Sequence, residues 1–249
     1  MLQKIASSPA MLLGLVGASA IIGAGAVLGV EAARSTAAVP GQAGIEQVVR
    51  NYVLTHPEII PEAMQRLRAR ETGQEIAANR SAILEPFGSA WAGNPKGDLT
   101  IVEYFDYNCG YCRSSLPVID RLIASDPKLR VVFRELPILS DESKAAARLS
   151  LVAAERGRFK AFHNALYAGG PISEASLESA IRAAGLNPQT AQASATLPRI
   201  EAELRSNLNI ASRLGMTGTP SWIIGNQVIS SALPFEDLQK AIAQARAQQ

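Results

Sequence analysis

Phe105-Asp106-Tyr107-Asn108-Cys109-Gly110-Tyr111-Cys112 contains the only two cysteines of the chain, spaced C-x-x-C. The pair follows an apolar stretch and opens a helix-like one, the outline of a thiol–disulfide exchange site. Exchange needs two unlike thiols. One attacks as an exposed thiolate, and a shielded partner resolves the mixed disulfide. If Cys109 begins a helix, the unpaired N–H groups and the helix dipole favour negative charge there, which marks it as the attacker. Cys112, one turn further in, is then the resolving thiol. A structural disulfide is the plain alternative. Zinc is the other, but it needs four ligands, and beyond the two sulfurs the chain has only His56 and His163, neither at ligand spacing.

Upstream of the pair, Leu99 to Phe105 is rich in β-formers and follows the turn-like Gly93-Asn94-Pro95-Lys96-Gly97-Asp98, so it reads as a strand. Downstream, a helix is predicted from Cys109 to Ala124, burying Leu116, Ile119, Leu122 and Ile123 and kinked at Pro117. Leu129 to Phe133 reads as a second strand. From Glu142 to Leu214 the pattern is helical, broken at Gly157, at Gly169-Gly170-Pro171, at Gly185 with Pro188, and around Pro198. Ser221–Ile224 and Gln227–Ile229 form a hairpin about Gly225-Asn226, and an amphipathic helix follows Pro234. This order predicts an α/β domain: a small sheet with helices on its faces and one large helical insertion.

The N-terminus has a different character. Between Lys4 and Glu31 there is no charge, the layout of a secretory signal or of a span long enough to cross a bilayer. Residues 1–30 are therefore read as a signal peptide or membrane anchor, and either places the remainder in an exported compartment that keeps disulfides. Residues 31–44 read as a linker. Residues 45–80 read as a helical segment: Ile45, Val48, Val49, Tyr52 and Val53 form one apolar stripe, resumed by Ile60, Ala63, Met64 and Leu67 after His56-Pro57. Such helices do not persist alone in water, so they pack either on the main domain, 81–249, or on copies of themselves. The net charge of +2, with no basic run interleaved with aromatics, points away from nucleic acid.

With these features in place, the chain resembles the DsbA-like group of thioredoxin-fold proteins. The carriers are the strand into Cys109-Gly110-Tyr111-Cys112, Pro117, the helical insertion at about 141–215, and Gly218-Thr219-Pro220 before the hairpin. Residues 45–67, with His56-Pro57-Glu58 between the stripes, are similar to the N-terminal oligomerisation segment of ScsC-type proteins, members linked to copper tolerance. Phe133-Arg134-Glu135-Leu136-Pro137-Ile138-Leu139 resembles a motif of that group. Pro61 departs from it and could break its helix.

The resemblance implies an exported, periplasmic thiol–disulfide oxidoreductase needing no dissociable cofactor. Its partners would be unfolded or misfolded exported proteins with cysteines and an inner-membrane redox partner, and it could form a homo-oligomer. Pro220 would be a cis-proline, forming with Thr219, Gly110 and Tyr111 the substrate-docking edge. Glu103 would be the buried acid that shuttles the proton of Cys112. Gly110-Tyr111 replaces the Pro-His of strong oxidants and looks like the dipeptide of disulfide isomerases, an isomerase leaning. The alternatives are a net oxidase of DsbA type and a copper(I)-binding protein using Cys109 and Cys112, since soft thiolates suit Cu(I). Trp91 and Trp222 read as packing groups, and His163 as a helix residue with no evident partner.

Overall fold

A computed structural model of the chain describes residues 41–248. The signal or anchor segment, 1–30, and most of the 31–44 linker lie outside the described residues. The chain divides into two units, with the boundary after Ala63. In the first, α1 (Gln42–Thr55) has no buried residue, and Ile45, Val48, Val49 and Tyr52 are all exposed. The His56 ring stacks on Tyr52 with centroids 4.5 Å apart.

Helix α2 (Ile59–Ala78) is continuous through Pro61 and Gly73. Pro61 falls in the first turn, where no intrahelical partner waits for its missing N–H, so it does not break the helix. Ile76, near the end of α2, is buried, and the short α3 (Arg80–Leu84) contributes Ile83.

The second unit is built on a five-stranded sheet in the order β1-β3-β2-β4-β5. The strands are β1 (Trp91–Gly93), β2 (Leu99–Phe105), β3 (Leu129–Glu135), β4 (Ser221–Ile224) and β5 (Gln227–Ile229). β2 and β3 are parallel, with Glu103 level with Phe133 and Phe105 level with Glu135; the other pairings are antiparallel. β2 matches the sequence reading. β3 runs two residues beyond it, and β1 is an additional edge strand too short for its alternation to be visible in sequence.

Both faces of the sheet are covered, as a parallel pair requires. Ile101, Phe105, Val131 and Phe133 face α4 (Gly110–Ser125), the helical insertion and α10 (Phe235–Ala247). Val102, Tyr104 and Val132 face Ile76, Ile83 and Ile210 on the other side. The insertion comprises α5 (Asp141–Glu155), α6 (Phe159–Ala168), α7 (Glu174–Ala183), α8 (Pro188–Ala195) and α9 (Pro198–Arg213). Its breaks follow from local chemistry. Ser140 and Ser173 cap α5 and α7, Asn187 caps α8 with Pro188 at the first helical position, and Pro198 opens α9. Gly225 turns the β4–β5 hairpin at φ 61°, a conformation that favours glycine. No described helix is long and apolar enough to cross a membrane.

Candidate functional site

β2 leads directly into the cysteine loop, and the parallel crossover through α4 to β3 places that loop at the carboxyl end of the strands. Cys109 is the N-cap of α4, which begins at Gly110 rather than at Cys109. The cap role is filled by sulfur: Cys112 N–H donates to Cys109 Sγ at 3.4 Å. An N-terminal N–H left without an intrahelical partner is thereby turned on the first thiol. Both cysteines are reduced. Cys112 is 2% exposed and Cys109 only 6%, so the sequence expectation of a freely exposed first thiol is corrected. The reason is a residue far away in sequence: Cys109 Sγ donates to the Thr219 carbonyl at 3.1 Å.

The Thr219–Pro220 peptide is cis, as the resemblance implied. Thr219 is half-buried and Pro220 buried. Tyr111 stands out at 70% exposed. A Cβ built on Gly110 or Gly218 would meet nothing within 4 Å. The cysteines thus lie beside a cis-proline loop with open space over Gly110 and Gly218.

Glu103 is buried on the α4 side of β2, with Oε1 unpartnered among the described residues. Burial first, and then the charge of Cys109, pushes its carboxyl from 4.5 up to about 8. Burial likewise raises the Cys112 thiol strongly, reinforced by Glu103, while a hydrogen bond from the Asp106 backbone opposes it. Burial thus holds a proton on each group in the resting site, and the Glu103 charge adds to the hold on Cys112. Trp222 is fully buried and Trp91 half-buried, both among core residues.

His163 is not partnerless, and that reading is corrected. Its Nδ1 lies 3.0 Å from Tyr107 Oη, which also bonds Ser150 Oγ at 2.8 Å. Its ring sits among Phe105, Tyr107, Phe133, Phe159 and Tyr167. Burial lowers the imidazole to about 3, so it stays neutral. Sequence spacing offered no route to this network, because its partners lie 43 and 56 residues apart.

Two further buried groups went unremarked in the sequence. Glu135 shares the sheet face of Glu103, and burial raises its carboxyl well above the usual range. Asp106 is buried with a fully bonded carboxylate, accepting from Asn108 N, Ile138 N, Leu139 N and Ser143 Oγ. Among the described residues no group of three or more His, Cys, Asp or Glu is placed to hold a metal ion.

Against known proteins, residues 100–243 match the DSBA-like thioredoxin domain family, and residues 42–74 match the copper resistance protein ScsC N-terminal domain. A thioredoxin-like oxidoreductase from Silicibacter pomeroyi is 35% identical, with TM-score 0.65, covering 68% of this chain and 98% of that one. A periplasmic thioredoxin-like protein from Salmonella enterica serovar Typhimurium is 28% identical, with TM-score 0.60, covering 68% and 95%. A linker-deletion mutant of Proteus mirabilis ScsC is 22% identical over 86% of this chain and 99% of that one, with TM-score 0.69. At that identity the likeness concerns fold alone. Among curated relatives, Na(+)/H(+) antiporter NhaA 3 of Salinispora tropica is 29% identical over 42% of this chain. The chain spans only 16% of that protein and 24% of a second such antiporter, from Salinispora arenicola.

Proposed function

The chain belongs to the DSBA-like thioredoxin domain family and is a thiol–disulfide oxidoreductase, and on that premise we propose that it is exported and rearranges disulfides in folding proteins, leaning towards isomerisation. The observation that carries the reading is the asymmetry of the pair. Cys109 caps α4 and receives the Cys112 N–H, while Cys112 lies deeper, with its proton held by burial and by Glu103. Thr219 and Pro220, with Gly110 and Tyr111, form the edge along which a substrate strand lies.

In the reaction, the Cys109 thiolate attacks a substrate disulfide. A Cys109–substrate bond forms, and the other substrate sulfur leaves as a thiolate. Cys109 then no longer carries charge, so one of the two causes that hold Glu103 protonated disappears. Glu103 ionises more readily at the moment a base is needed and takes the Cys112 proton. The Cys112 thiolate attacks Cys109 Sγ, an intramolecular disulfide forms, and the substrate leaves with its sulfur reduced. In isomerisation, a different cysteine thiolate of the substrate attacks the substrate sulfur of the mixed disulfide instead, so a new substrate disulfide forms and Cys109 leaves as the thiolate.

Two features support the isomerase leaning. The dipeptide Gly110-Tyr111 brings no imidazole to Cys109, which disfavours a strongly oxidising poise. The apolar stripe of α1 is exposed and lies in the ScsC-like segment, which fits self-association that would group several sites. The match to the periplasmic Salmonella protein supports export, and recharging the reduced form then calls on an electron donor in the inner membrane.

The test is reactivation of a scrambled ribonuclease by reduced protein, with the glutathione equilibrium measured alongside. Reactivation that a Cys109→Ser change abolishes supports the reading. A potential as oxidising as about −120 mV without unscrambling assigns a net oxidase instead. The copper resistance name of the family matched by residues 42–74 favours one second reading, Cu(I) held by the Cys109 and Cys112 thiolates. Stoichiometric Cu(I) retention with poor disulfide turnover would select it.

A further inference from the structure

Asp106 ties both cysteines to a neighbouring loop. Its carbonyl accepts the Cys109 N–H at 3.0 Å and the Tyr167 hydroxyl at 2.9 Å. Its own N–H bonds the Cys112 sulfur in the charged form. Its carboxylate is filled from two directions. Oδ1 accepts Asn108 N at 2.8 Å and Ser143 Oγ at 2.6 Å, and Oδ2 accepts Ile138 N and Leu139 N at 2.9 Å each. Every polar atom of a buried residue is thus engaged, across the end of β2, the loop after β3 and the start of α5. Four donors on one carboxylate make a rigid pin, because charge-assisted hydrogen bonds are about twice as strong as neutral ones.

We propose that Asp106 is a positioning residue for disulfide resolution: its side chain fixes the turn whose N–H group meets the Cys112 sulfur as that sulfur attacks Cys109. The inference rests on the exchange chemistry proposed above. It adds a division of labour, since capture of substrate by Cys109 depends on the α4 N-terminus, and closure by Cys112 depends on the Asp106 turn. An Asn side chain cannot replace the carboxylate. Its amide nitrogen would face either Asn108 N or both Ile138 N and Leu139 N, backbone donors that cannot turn to accept, so at least one hydrogen bond would be lost.

The experiment uses the full reduced chain and 5,5′-dithiobis(2-nitrobenzoate). Cys109 attacks the reagent disulfide, forming a Cys109–aryl mixed disulfide and releasing one thionitrobenzoate. Cys112 then loses its proton, attacks Cys109 Sγ and releases the second, so the dithiol is oxidised as the reagent is reduced to two thiolates. The two absorbance steps report capture and closure separately. For Asp106→Asn, closure should slow roughly tenfold or more while capture changes by less than about threefold, the signature of a misplaced reacting group. Equal slowing of both steps, or no change in either, would overturn the proposal. If circular dichroism shows that variant unfolded, Ser143→Ala removes a single donor to the same carboxylate. It should slow closure selectively by about threefold, and loss of selectivity there overturns the proposal equally. Absence of any first step in the wild-type protein would instead overturn the exchange reading itself.

Discussion

Replacing Glu103 by Gln removes a pH-dependent destabilisation that the buried carboxyl imposes on the fold. Burial and the neighbouring Cys109 charge move this group from 4.5 up to about 8. In the unfolded chain it loses its proton near 4.5, whereas in the folded chain it keeps the proton until about pH 8. Across that window the folded state binds more protons, so stability is fully present below the lower value and drains away as pH rises towards the upper one. Each pH unit in the window is worth about 1.4 kcal/mol, so by pH 7 the loss reaches roughly 3 kcal/mol. Gln has nearly the same shape and cannot ionise, so its stability lacks this slope. Urea unfolding of both reduced proteins between about pH 5 and pH 8 gives the comparison. The Gln variant should gain on the wild type by about 1.4 kcal/mol per unit. Oxidation of the pair removes the Cys109 charge, so the divergence should be smaller in the disulfide form. Parallel pH curves for the two proteins would mean that Glu103 titrates alike folded and unfolded, and that its burial does not raise it.

Three other outcomes follow from the same structure. Cys112→Ser should trap the substrate as a stable mixed disulfide on Cys109, visible as a discrete mass after exposure to a disulfide-bonded peptide; rapid release without trapping would remove Cys112 from the resolving role. His163, lowered from an ordinary 6.5 to about 3, makes stability fall as pH drops below 6.5. His163→Phe should flatten that acid limb while losing about 1 kcal/mol with the Tyr107 bond, both read from urea unfolding between about pH 4 and pH 7. If the chain self-associates through α1 as proposed, Val49→Glu with Tyr52→Glu on its exposed face should reduce the solution mass measured by light scattering to that of a monomer, whereas an unchanged mass would overturn self-association through α1.

The parts of the fold legible in sequence were those written in local chemistry. β2 and the β4–β5 hairpin follow from β-rich runs and the Gly225-Asn226 turn, and the breaks between the helices of the insertion from their Gly and Pro punctuation. The cysteine spacing, followed by an amphipathic helix, put the pair at the start of a helix, where the structure has it. What escaped depends on distant residues. The burial of Cys109 comes from Thr219, 110 residues later. The Tyr107–Ser150–His163 network and the Asp106 pin each join the cysteine loop to the insertion, and no periodicity records such pairs. Trp91–Gly93 escaped for another reason: three residues are too few to show alternation.

The two sulfurs should be chemically unlike, the first activated at the cap of α4 and the second held protonated behind it. Timed iodoacetamide labelling of the reduced protein at neutral pH, with each cysteine quantified by peptide mass spectrometry, compares them. Cys109 should be modified at least about tenfold faster than Cys112, with Cys112 reacting only on unfolding. Equal labelling of the two, at the rate of a free cysteine in solution, would contradict that difference.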